Sequence, residues 1–187
     1  MGRAIPLQPR HPTTNRMRIA VLSDSHDHVP NLRRAVLRTN WEGAEMLIHC
    51  GDLISPFMLP YLEQFNGPAH VIYGNNAGDR HLIASRCAAS AGPIAHHGDH
   101  GILVAASWRI AIEHYPNWAC ALAASGDFDL VCCGHSHVFQ TQWLGRCLLL
   151  NPGELLGKDA PPTFALLDTA DGSVRQISVG EQLLLDD

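Results

Sequence analysis

Apolar residues in this chain come in short runs, and polar residues cluster where the runs stop. Arg18–Leu22 (RIAVL) breaks abruptly into Asp24, Ser25, His26, Asp27 and His28. Met46–His49 ends at Cys50-Gly51-Asp52, and Ala69–Tyr73 ends at Gly74-Asn75-Asn76. Runs this short, bounded by turn residues, predict buried strands. Between them the apolar spacing becomes helical, with Leu32, Ala35 and Val36 inside Asn31–Arg38. A further helix, capped by Asp79 and running to about Ala91, would turn Leu82, Ile83 and Cys87 inward. Ser55-Pro56 predicts another helix start, with a kink at Pro60. Strands alternating with helices argue for βαβ units and a parallel sheet.

The second half is richer in strands. Ile94–Ala95, Ile102–Ala105 and Arg109–Ile112 precede a helix near Asn117–Ala124. The run Leu130–Cys133 then ends at Gly134-His135-Ser136-His137. Four extended stretches come after it: Phe139–Trp143, Cys147–Leu150, Thr163–Asp168 and Val174–Val179. The expected fold is α/β: a two-sheet sandwich with helices outside. Residues 17–187 are read as one domain. Residues 1–16, with three prolines and no periodicity, are expected to be a disordered or loosely attached extension, and Met17 could itself be the initiator. Glu181–Asp187 reads as a short tail.

Composition narrows the function classes. At 187 residues the chain can bury a full core without disulfides. Its net charge is -5, with Lys and Arg scattered, which speaks against a broad nucleic-acid face. The six Cys show no CxxC spacing and read as small buried hydrophobes in a reducing compartment. No run approaches a membrane span and no apolar signal segment is visible, so a cytoplasmic protein is expected.

The twelve His matter by position rather than number. Asp24 and His26 are two residues apart, and on extended backbone both would leave on one side. Asp52, Asn75, His114, and the pair His135 and His137 each come after another predicted strand. Any one is weak: a lone His at a strand end is usually structural, and a lone Gly-Asp or Gly-Asn is usually a turn. Strand ends of one sheet converge on one edge, however, so the series as a set points to a shared metal site. His49 reads as a partner behind the ligands. Asp27 would orient a ligand His or, more simply, cap the following helix. His28 could be aimed by alternation beside His26, and Glu113 is expected to be solvated or to pair along the sheet.

With these residues in place, the sequence resembles the calcineurin-like metallophosphoesterases. The carriers are Asp24-Ser25-His26, Gly51-Asp52, Gly74-Asn75, His114 and Gly134-His135-Ser136-His137, spread over Met17 to about Asp168. The short length looks like the small phosphodiesterase branch, which lacks a cap domain and also contains a non-catalytic retromer scaffold subunit. The resemblance implies a four-layer αββα fold around two divalent ions. Asp24, His26 and His137 would hold one ion, and Asn75, His114 and His135 the other, with Asp52 bridging them. The metals would be drawn from Mn, Fe, Zn, Ni and Co, since imidazole, carboxylate and amide ligands without thiolate suit all five. A metal-bridging hydroxide would hydrolyse a small phosphodiester or phosphomonoester, with Asp52 and Asn75 in the reaction and Asn75 and Asn76 facing substrate.

The chain also departs from the family pattern. Asn76 stands where larger members carry a His that protonates the leaving group, which leaves His28, His96, His97 and His100 as candidate proton donors. Tyr115-Pro116 replaces a Gly and a His after His114, changing the pocket wall. Two other readings stay open, a scaffold that has lost the chemistry and a nuclease acting on single strands. A homodimer is open too.

Overall fold

The computed structural model describes residues 16–89 and 94–180. Four strands, β1 (Arg18–Leu22), β2 (Met46–His49), β3 (Ala69–Val71) and β4 (Ile94–His96), run parallel. The last two strands, β10 (Thr163–Asp168) and β11 (Ser173–Ser178), return to complete a six-stranded sheet in the order β11-β10-β1-β2-β3-β4. β10 lies antiparallel to β1, with Ala20 opposite Leu166.

The second sheet has the order β5-β6-β7-β9-β8. Its strands are β5 (Gly101–Ala105), β6 (Trp108–Ile112), β7 (Leu130–Cys132), β8 (Phe139–Leu144) and β9 (Cys147–Pro152). β6, β7 and β9 are parallel, whereas β5 and β8 are antiparallel edges made by hairpins.

Side-chain alternation builds three apolar layers. From β1, Ile19 and Val21 join Ile48, Ile110, Ile112, Leu130 and Leu150 between the sheets. Ala20 and Leu22 point the other way, onto Leu32 and Val36 of α1 (Val29–Trp41), Leu62 of α2 (Leu59–Leu62) and Ile83 of α3 (Arg80–Ala89). On the far face of the second sheet, Ala111, Val131 and Leu149 pack on Ala119 and Ala123 of α4 (Pro116–Ala124). Both faces of the parallel strands are therefore covered, which is why β1 and β2 read as continuous apolar runs rather than alternating ones.

The expected elements are present with end shifts of up to three residues, and the expected end of α3 near Ala91 lies outside the described residues. A 3-10 turn at Pro56–Met58 precedes α2, so the Pro56 and Pro60 region is a broken rather than a continuous helix. Asp79 caps α3 by accepting from the Leu82 amide. Ile83 and Cys87 are buried as expected, while Leu82 is on the exposed side. Five cysteines are buried and Cys120 is exposed; burial pushes the Cys133 thiol up to about 12, which keeps it inert. Among the described residues no helix is long and apolar enough to cross a membrane. Residues 1–15 and 181–187, for which an extension and a tail were expected, lie outside the described residues.

Candidate metal centre

The parallel strands of both sheets deliver their carboxyl ends to one edge, and the loops there are laced together. The Asp24 amide donates to the Gly51 carbonyl, His26 to Asp52, Asp52 to Tyr73, and Gly134 to His114. Five of the expected ligands, Asp24, His26, Asp52, His135 and His137, have φ between 42° and 66°. Non-glycine residues in the left-handed region cost about 1–3 kcal/mol each and persist where surrounding contacts hold them, commonly at active sites. Asp24 and His26 therefore converge through a tight turn. The extended alternation expected from the sequence is absent.

Asp24 is fully buried, and its Oδ2 accepts from the His135 amide at 3.0 Å. Its Oδ1 lies 3.4 Å from His137 Nε2 and 3.7 Å from His26 Nε2. His26 Nε2 is also 3.5 Å from Asp52 Oδ2, which in turn is 3.6 Å from His114 Nε2. Asn75 Oδ1 closes the ring, 2.8 Å from both His114 Nε2 and His135 Nδ1. Two groups result, Asp24 with His26 and His137, and Asp24 with Asp52 and His114, each with ligand atoms within 4.8 Å of one another. All seven residues expected as ligands meet in one cluster.

Whether this cluster fits a cation can be tested on its own atoms. Asp24 Oδ1 and His26 Nε2 are buried with no hydrogen-bond partner, although they face each other and Asp52. Donor atoms about 2.0–2.2 Å from a shared ion stand roughly 3–3.6 Å apart, close to the separations seen here. His114 Nδ1 sits 2.8 Å from the Cys50 carbonyl, which can only accept, so that nitrogen carries the proton and Nε2 turns its lone pair into the cluster. Electrostatics agree. Burial alone would raise the Asp52 carboxyl, yet the neighbouring His114 imidazole and the hydrogen bonds from Asn76 hold it far below the usual carboxylate range. Burial would likewise lower His114, but Asp52 and the Cys50 carbonyl raise it, and the neighbouring Asp24 carboxylate raises His26. The pocket is a well of negative charge that draws positive charge, and a divalent ion meets that demand.

The calcineurin-like phosphoesterase superfamily domain matches residues 17–172. The chain belongs to that superfamily. It is a phosphoric ester hydrolase, of a group that uses divalent metal ions. It is 30% identical over 175 residues to a phosphodiesterase of Methanocaldococcus jannaschii, covering 86% of this chain and 98% of that protein. A solved archaeal phosphodiesterase superposes with a TM-score of 0.81 at 32% identity, over 87% of this chain and 99% of that one. The zinc complex of Vps29 from Entamoeba histolytica shares the fold alone, with a TM-score of 0.61 at 18% identity, over 88% of this chain and all of that one.

Other sequence-predicted residues of this phosphoesterase surround the ligands, and several take roles other than those expected. Asn76 directs both its backbone and side-chain N–H groups at Asp52, at 2.7 and 2.6 Å, and so holds that carboxylate. The cap of α1 is His28, whose Nδ1 accepts from the Asn31 amide; alternation does not aim it beside His26, because the turn breaks the alternation. Asp27, expected as the cap, instead accepts from the Ser55 amide and hydroxyl and ties the first loop to the second. His49 is fully buried against Ser25 Oγ, and burial pushes it down to about 4, so it is a neutral support behind the turn. Among the other proton-donor candidates, His97 bonds His70, His96 packs on Tyr73, and His100 pairs with Glu113.

Two carboxylates differ from, or escape, the sequence reading. Glu113, expected to be solvated or to pair along the sheet, is buried and accepts from the His114 and Tyr115 amides, fixing the turn that carries a ligand. Glu154 is buried with its Oε2 2.9 Å from His137 Nδ1. Its signal was present: Asn151-Pro152-Gly153-Glu154 places an acid just past the end of β9, at the same edge as the other strand-end residues.

Proposed function

We propose that this phosphoesterase hydrolyses phosphodiesters at a two-ion centre. Asp24, His26 and His137 would hold one ion, Asn75, His114 and His135 the other, and Asp52 would be shared. The observation that carries this reading is that unpartnered Asp24 Oδ1 and His26 Nε2 face each other, and that His26 Nε2 and His114 Nε2 both approach Asp52 Oδ2, with Asn75 Oδ1 against His114. When bound, such ions would neutralise phosphoryl oxygens and bring the pKa of a water toward neutrality.

The protein's own groups supply position and exclude alternatives. Asn76 holds both oxygens of Asp52, and Tyr115 stacks edgewise on His114 and His135 at 5.3 and 5.0 Å, walling one side. No nucleophilic side chain is required, because phosphoryl transfer rests on positioning and charge stabilisation. Among the described residues no Lys or Arg bonds to any of the seven ligands, so the additional charge of a monoester dianion finds no side-chain cation there. That favours the singly charged diester, the substrate class named for the archaeal relatives. With Asn76 engaged on Asp52, no side chain among the described residues is placed to protonate the leaving group, so activated leaving groups should react best.

The test is metal analysis of the purified chain together with hydrolysis of bis(p-nitrophenyl) phosphate and p-nitrophenyl phosphate after loading with Mn. About two equivalents of metal and a preference for the diester are expected. Protein that binds no transition metal and cleaves neither ester would overturn the proposal.

A further inference from the structure

Among the described residues the two sheets have four edge strands, and β5 alone is apolar along its whole length. Its sequence, Gly101-Ile102-Leu103-Val104-Ala105, holds no charge and no proline to discourage pairing with another strand. The opposite edge of the same sheet, β8, presents Gln140, Thr141 and Gln142, while β11 presents Arg175 and Gln176. β4 has only three residues. Ile102 lies opposite Ala111, whose side chain packs under α4, so Ile102 and Val104 share that outer face one strand beyond the helix. They are 60% and 71% exposed, and Trp118 of α4, which lines a groove with Ile102, is 67% exposed.

The hairpin joining β5 to β6 decides which backbone groups are free. Ala106 and Ser107 have φ of 47° and 68°, as a two-residue type I′ turn requires, and Ala105 opposite Trp108 closes it. The closing pair exchanges hydrogen bonds, and so does every second pair beyond it. Gly101, Leu103 and Ala105 therefore direct their N–H and C=O groups to β6. Ile102 and Val104 direct theirs to the open edge.

We infer that β5 pairs antiparallel with β5 of a second copy of this chain, about a twofold axis at Leu103, joining two five-stranded sheets into one of ten. In this register Ile102 of each copy lies opposite Val104 of the other. All four residues have free N–H and C=O groups, so four backbone hydrogen bonds form. A slip of one residue would set free groups against engaged ones, which fixes the register. The facing Ile and Val side chains lie on one face, as stabilising cross-strand pairs do. Charge is compatible: Asp99, held by Arg80, falls nearest the uncharged Ala106–Ser107 turn of the second copy. Covering Trp118 at its present exposure would bury ~100–170 Å² per copy, up to a fifth of the ~800 Å² per partner of a standard interface. Ile102, Leu103, Val104 and the paired backbone add to that, which places the contact at the small end of stable interfaces and its dissociation in the micromolar range. Such a contact is isologous and closes at two copies. The Gly101 end of β5 lies at Ile112, near the His114 turn, so the twofold sends the two candidate metal centres to opposite ends of the joined sheet.

Sedimentation velocity of the full chain tests this across roughly 1–200 μM, the range that a contact of this size calls for. The chain is expected to pass from monomer to dimer. Val104→Lys sets a charge in each half of the seam, and Val104→Pro removes an outward N–H while sparing the groups that face β6. Both variants should stay monomeric with an unchanged circular dichroism spectrum, whereas Gln142→Lys on β8 should dimerise like the unmodified chain. Hydrogen exchange reads the seam without any variant: the Ile102 and Val104 amides should exchange more slowly as the unmodified chain is concentrated. No outcome depends on bound metal or on turnover. A chain that stays monomeric throughout, assembly that continues past two copies, a dimer that survives both Val104 substitutions, or exchange at Ile102 and Val104 that ignores concentration overturns the inference.

Discussion

His137 places its Nδ1 2.9 Å from Glu154 Oε2, a close ion-pair contact at an angle that forms no hydrogen bond, while its Nε2 faces Asp24. The other Glu154 oxygen accepts from the Asp159 and Ala160 amides, so the carboxylate cannot swing away. A carboxylate behind a ligand imidazole fixes its tautomer and raises its basicity, and its loss usually costs about 10–100-fold in metal affinity. Glu154→Gln should therefore bind Mn or Zn that much more weakly in competition with a chelator, with a nearly unchanged circular dichroism spectrum. Unaltered affinity would mean that the pair is structural only.

Asp52 offers a sharper contrast. It is buried, and both oxygens already accept from Asn76 while one also faces His26 and His114. In Asp52→Asn the new amide nitrogen would have to stand against an Asn76 donor, and the negative charge that faces both His26 and His114 would be gone. Metal content should fall to one equivalent or less per chain, and diester hydrolysis by about a hundredfold or more. Plasma emission analysis and initial rates check both. Full metal content with full activity would remove Asp52 from the shared position.

Much of this arrangement could be read from the chain because each ligand comes after a strand whose apolar run is visible, and parallel strands must end on one edge. What could not be read has its own physical cause in each case. The turn at Asp24–Asp27 uses three residues with positive φ, and no pattern of apolar spacing records that; the resulting exchange of roles gave His28 the cap and Asp27 the bond to Ser55. Glu113 looked outward by alternation, but strand β6 ends at Ile112 and the turn bends the carboxylate back onto the His114 amide. Glu154 reaches His137 only because the β8–β9 hairpin folds its sequence back to the same edge. The return of β10 to pair with β1 is likewise a long-range choice with no local signature.

Gly74 carries a steric prediction. Its φ is +82°, and a Cβ there would overlap Asp52 Oδ1 and come within 3.1 Å of its Cγ. Gly126 has a similar φ of +79° with nothing within 4 Å. Gly126→Ala should lose only the backbone contribution, about 1–2 kcal/mol. Gly74→Ala adds the overlap and should lose about 2–4 kcal/mol, and it should weaken metal binding as well because Asp52 must move. Urea denaturation of the two variants separates the contributions; equal losses would mean that the loop yields freely.

The pair His70 and His97 gives a pH prediction away from the ligands. His70 Nδ1 lies 2.9 Å from His97 Nε2, so one ring donates and the other must stay unprotonated on the shared side. Burial first, and the neighbouring His97 second, lower His70 from 6.5 to about 4. The unfolded chain therefore takes up a proton near pH 6.5 that the folded chain refuses until about pH 4, and stability falls on acidification through that window. Because His70 is only partly buried, the expected loss between about pH 7 and 5 is roughly 1–2 kcal/mol. A neutral amide in His70→Gln can keep a bond to His97 and has no proton to gain, so the variant should lose less stability over the same interval. Denaturation midpoints measured at both pH values for the two proteins decide it, and parallel curves would show that this pair does not set the acid sensitivity of the fold.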